Sequence, residues 1–71
     1  MAEEVRAEMV STVLTVEVEV GQQVRVEQTL VLLESMKMEI PVLAETGGAV
    51  STVAVEPGQV LQQGDLIAVI D

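Results

Sequence analysis

The 71 residues suffice for one small domain with a thin core, and leave little room for a deep pocket with catalytic machinery. Cysteine, histidine and the aromatic residues are all absent, which excludes disulfides, thiolate or imidazole metal sites, an imidazole general base and stacking platforms for nucleic-acid bases. Twelve acids against Arg6, Arg25 and Lys37 leave a formal net charge of −9, so neither nucleic acid nor an anionic membrane is an expected partner.

Along the chain, Met1-Ala2-Glu3-Glu4 offers no basic region and no apolar run, so no signal peptide or membrane anchor is expected and the cytosol is the expected compartment. A β-branched alternation predicts a strand over 12–18, and Gly21 marks a turn. A short strand around Val24–Val26 and an apolar strand over 29–34 follow. Further strands are predicted over 38–43, 49–55, around Val60-Leu61 and over 66–70, with turns at Gly47-Gly48, Gly58 and Gly64-Asp65. Pro41 suits an edge strand, where no ladder donor is needed. No segment carries a helical stripe of useful length. Short strands at even spacing point to a small sandwich or barrel. The core is expected from Val13, Leu14, Val16, Leu30, Leu32, Ile40, Val53, Val55, Ile67 and Val69.

The chain also repeats itself. Ala7–Glu34 lies over Ala44–Asp71 without a gap, at a constant shift of 37. Val-Glu-Val-Gly-Gln at 18–22 falls in frame on Val-Glu-Pro-Gly-Gln at 55–59. The expected organisation is one domain over 1–71, with repeat halves 7–34 and 44–71 and a hairpin at 34–39 between them.

Lys37 is the only lysine, and it sits at that junction. A two-residue hairpin loop there places Met36-Lys37 at the tip, where Gly or Asn would be the ordinary choice. Methionines on both sides leave apolar surface in water. A tip that departs from local rules points to function.

The segment Glu34-Ser35-Met36-Lys37-Met38-Glu39 resembles the Glu-Ala-Met-Lys-Met signature of the biotinyl (biotin carboxyl carrier) domains of the biotinyl/lipoyl family. Val-Gly-Gln at 20–22, Pro-Gly-Gln at 57–59 and Ala44–Val50 resemble that family's glycine turns, and the likeness runs over essentially the whole chain. The short stand-alone biotinylated carriers are the most similar form. Ser35 departs from the family's alanine. Ser11 and Glu27 replace turn glycines that the second half keeps as Gly48 and Gly64. The protruding thumb of some bacterial carriers is not expected, because no insertion separates the early strands.

The resemblance implies an all-β fold, a flattened barrel-sandwich of two four-stranded antiparallel sheets with internal pseudo-two-fold symmetry. It implies biotin joined covalently to Lys37 by a biotin protein ligase. Met36 and Met38 flank the site for recognition, and Glu34, Ser35 and Glu39 are available to partner surfaces. Biotin carboxylase and carboxyltransferase components would load and unload the carrier, commonly for an acyl-CoA carboxylase. The chain itself is expected to be a carrier and no enzyme, with no catalytic residue and no metal ligand. A lipoyl carrier shares the fold, but its family has Asp-Lys-Ala or a close variant at the tip. An unmodified β-sandwich adaptor is a further alternative. The symmetry places the Lys37 hairpin far from both termini.

Overall fold

A computed structural model describes residues 2–71. Eight strands follow one another: β1 (Glu3–Arg6), β2 (Ser11–Val16), β3 (Gln23–Val24), β4 (Thr29–Ser35), β5 (Met38–Leu43), β6 (Gly48–Val53), β7 (Val60–Leu61) and β8 (Leu66–Ile70). They form two four-stranded sheets, ordered β1-β8-β6-β3 and β5-β4-β2-β7, and every pairing is antiparallel. The Cα trace spans 31 × 18 × 17 Å.

The internal repeat is visible bond by bond. The Gly21 amide donates to the Val50 carbonyl at 2.7 Å, and Gly58 donates to Val13 at 2.8 Å. Ala44 donates to Gln28, and Ala7 donates to Asp65, both at 2.9 Å. The buried residues pair in the same way: Ala7 with Ala44, Val13 with Val50, Val18 with Val55, Val24 with Leu61, Leu30 with Ile67, Val31 with Ala68, and Leu33 with Ile70. Both halves therefore contribute matched layers to one aliphatic core. Gly21, Gly58 and Gly64 all sit in turns at positive φ.

The strands over 29–34, 38–43 and 66–70 lie where the sequence places them, and Pro41 is on the edge strand β5. The strand expected over 12–18 begins at Ser11 and ends at Val16, and that expected over 49–55 is Gly48–Val53. β1 is an addition: Glu3–Arg6 pairs with β8 although Val5 is its only apolar residue. The core differs more. Val13, Leu30, Val55 and Ile67 are buried, and Val16 and Val53 pack against the cluster. Leu14, Leu32, Ile40 and Val69 are only half-buried, while Leu61, Ile70, Val31, Val50 and Leu33 are buried instead. Register shifts between Val13 and Thr15, Thr29 and Val31, Val50 and Thr52, and Val5 and Arg6 opposite β8 account for the changes on β2, β4, β6 and β8, whereas Ile40 lies on the edge strand β5. A bulge breaks strict alternation, so neighbours such as Leu30 and Val31 can both face inward.

Candidate functional site at the β4–β5 hairpin

The ladder between β4 and β5 runs through Leu33↔Ile40 and Glu34↔Glu39 to Ser35↔Met38, which leaves Met36 and Lys37 as the whole turn. Their φ angles are 53° and 65°, the double left-handed pattern of a type I′ turn. That turn matches the right-handed twist of the two strands, so a short tip of this kind continues the ladder without splaying it. The backbone is paired up to Ser35 and Met38, the residues flanking the turn.

The side chains are presented outward. Met36 is 90% exposed and Met38 62% exposed, and Lys37 is exposed as well. Among the described residues Lys37 has no ion-pair partner within 4.0 Å. Glu34 and Glu39 face each other across the ladder, both exposed. Like charges at directly opposed positions oppose strand pairing, so this pair works against the last rungs of the hairpin. The Ser35 hydroxyl donates to the Val10 carbonyl at 3.0 Å, which ties the hairpin to the β1–β2 connection. The residue that departs from the family signature thus has a contact that alanine could not make.

Met9 and Val10 are 49% and 56% exposed and join Ser11, Thr12, Glu34, Ser35, Met36 and Lys37 along a shallow groove beside the tip. Sequence reasoning did not include these two residues. The shift of 37 sets them over Thr46-Gly47, so apolar residues in the first half meet polar or small ones in the second, which was the available signal.

The hairpin lies at one end of the body. Ala7 is bonded to Asp65 at the start of β8, and a three-residue link then leads to Ser11 near the tip. From there β8 runs back along the long axis to Asp71, whose amide and carbonyl both pair with Ala49, next to Glu3↔Ile70. Strand rise carries five residues about 16 Å. The C-terminal residue and the start of β1 are therefore at the end away from Lys37; Met1 lies outside the described residues.

An open groove of about 980 Å³ runs between the edge strands β1 and β5, with Val5, Leu33, Ile40 and Val42 among its lining residues. No group of three or more acidic side chains among the described residues could hold a metal ion. The distinctive chemistry of the chain is at the tip.

The family model described as biotin-requiring enzyme matches residues 3–70. The chain is 63% identical over 70 residues to a biotinylated protein TB7.3 homolog of Mycobacterium leprae, covering 99% of each. Kluyveromyces lactis urea carboxylase contains a region that matches all of this chain with a TM-score of 0.92 at 30% identity, and that region is 6% of the longer protein. The lipoyl domain of the 2-oxoglutarate dehydrogenase complex from Azotobacter vinelandii gives a TM-score of 0.78 at 21% identity over 94% of this chain and 95% of that domain, a likeness of fold alone. With a family match over almost its full length and a relative 63% identical over 99% of both chains, the chain belongs to the biotin/lipoyl family of biotin-requiring enzymes.

Proposed function

We propose that this chain is a biotin carboxyl carrier and that the Lys37 Nζ is its attachment point. The observation that carries the reading is the placement of the only lysine, exposed and without an ion-pair partner among the described residues, at the turn of a hairpin paired up to Ser35 and Met38, between Met36 and Met38. A biotin protein ligase forms an amide between that amine and the carboxylate of biotin, and the lysine charge is lost. Biotin supplies a ring nitrogen that accepts and releases a carboxyl group. The chain's own part is to hold the arm at the end of a rigid ladder, at high effective concentration for two partner sites. Met36 and Met38 offer adaptable apolar contact to those partners. Glu34 and Glu39 offer carboxylates to basic groups, and Ser35 fixes the tip. A biotin carboxylase would load the arm and a carboxyltransferase unload it, in the cytosol, with no catalysis by the carrier.

The lipoyl reading shares the fold, but the methionines beside Lys37 and the name of the 63% identical relative both favour biotin. Lys37→Arg is the test. It preserves the charge and removes the nucleophile, so streptavidin blotting and intact mass should show complete loss of labelling by a biotin ligase. Persistent labelling at an internal residue would overturn the assignment, and a mass increment matching lipoate on the wild type would favour the alternative.

A further inference from the structure

The oxidisable side chains of this protein are unusually placed. Cys, Trp, Tyr and His are absent, so methionine thioethers are the oxidant-sensitive groups of the chain. Of the four methionines, the three beyond Met1 all lie at the hairpin end: Met36 and Met38 flank Lys37, and Met9 lines the groove beside it. At 90%, 62% and 49% exposed, all three residues are open to small oxidants in solvent. Among the described residues no such group stands in the buried core, which is built from Val, Leu, Ile and Ala.

We propose that Met36 and Met38 form a reversible oxidation site that gates the recognition of Lys37. The proposal rests on Lys37 being the biotin acceptor. The oxidant is a hydroperoxide: a sulfur lone pair attacks one peroxide oxygen, the O–O bond breaks and an S=O bond forms. The other oxygen leaves with the proton as water or an alcohol. Sulfur is oxidised by two electrons and the peroxide is reduced by two. A dithiol-dependent methionine sulfoxide reductase reverses the step, releasing water and leaving a disulfide. The sulfoxide turns a flexible apolar collar into a polar, chiral one at the surface a partner must cover. The fold itself should hold, because the two sulfurs project from the body. A stress signal is thereby read at the attachment end while the core stays intact.

The arginines and the lysine make the test direct. Trypsin cuts after Arg6, Arg25 and unmodified Lys37, so Met9, Met36 and Met38 fall on three separate peptides. The unbiotinylated protein is treated with hydrogen peroxide, mapped by peptide mass and then offered to a biotin ligase. Oxidation should proceed in the order Met36, Met38, Met9, with the far-ultraviolet circular dichroism unchanged. Initial labelling should fall roughly fivefold or more and return after treatment with reductases of both sulfoxide epimers. In Met36→Leu/Met38→Leu, the ratio of labelling before and after peroxide should stay near one, whatever its starting rate. Labelling of wild type that is unaffected once Met36 and Met38 are oxidised would overturn the gate. A peroxide effect retained in the double variant would also overturn it. If the untreated protein takes no biotin at all, the carrier assignment fails first and the gate falls with it.

Discussion

Met36→Asn isolates the strain stored at the tip. Met36 stands at φ 53°, in the left-handed region, where a side chain other than Gly, Asn or Asp costs roughly 1 kcal/mol. Asparagine tolerates this region and is favoured in type I′ turns. With 90% of Met36 in solvent, little apolar burial is lost to offset the relief. The variant should therefore gain about 0.5–1 kcal/mol, a rise in Tm of about 2–8 °C for a domain of this size. Without aromatic residues, the transition is followed by far-ultraviolet circular dichroism rather than by fluorescence. Met36→Ala is the control: it removes the same thioether but keeps the unfavourable φ, so it should show no such gain. A lower Tm for Met36→Asn, or an equal gain in Met36→Ala, would refute the strain argument. The same variant should be a poorer substrate for the ligase, because it also removes the apolar thioether offered to that partner.

Glu27→Gly addresses a second left-handed residue. Glu27 has φ 72°, and its repeat partner Gly64 has φ 90°; their amides make equivalent bonds, to Ala44 at 2.7 Å and Ala7 at 2.8 Å. Strain relief of about 1 kcal/mol against glycine's greater unfolded-state entropy gives a neutral to slightly raised Tm, and a clear fall would count against it. Gly48→Ala should be severely destabilising, because a Cβ there would overlap the Asp71 carbonyl oxygen; a native-like melt would show that β8 can shift. Ser35→Ala removes the bond to Val10 and should cost about 0.5–1 kcal/mol while biotin incorporation persists, read by denaturant titration beside a streptavidin blot. Leu61→Ala in the fully buried core should cost about 2–5 kcal/mol, enough to leave much of a domain this small unfolded.

Much of the architecture was legible because the chain states it twice. A match such as Val18–Gln22 over Val55–Gln59 carries strand, turn and symmetry together, and the symmetry by itself implies the far-end placement of Lys37. β1 escaped because three of its four residues are charged. The repeat, extended upstream, sets Glu3–Arg6 over Ile40–Leu43, so the tertiary partner and not local hydrophobicity makes it a strand. The core was less legible because alternation is a local rule and the bulges are set by pairing between strands. Leu32 reads as an inward residue until the shift beside Val31 turns the strand. At the tip, Lys37 and the methionines announce themselves by type, whereas Met9 and Val10 are brought alongside only by the fold.

The edges of the two sheets have a consequence for how this protein fails. β3 and β7 are two residues long, β1 carries three charges, and β5 carries Pro41, so each outer strand resists pairing with another chain. The interior strands have no such protection of their own. Thr29–Leu33 and Leu66–Ile70 are apolar runs without a charge or a proline, the composition that stacks into fibrils when exposed. In the native state both are shielded by neighbours on either side. In the unfolded chain the surrounding carboxylates keep the molecules apart, and acidification removes that repulsion at the same time as it lowers solubility. The practical hazard is therefore fibril growth during refolding or storage in acid, seeded from these two segments rather than from any surface of the folded carrier.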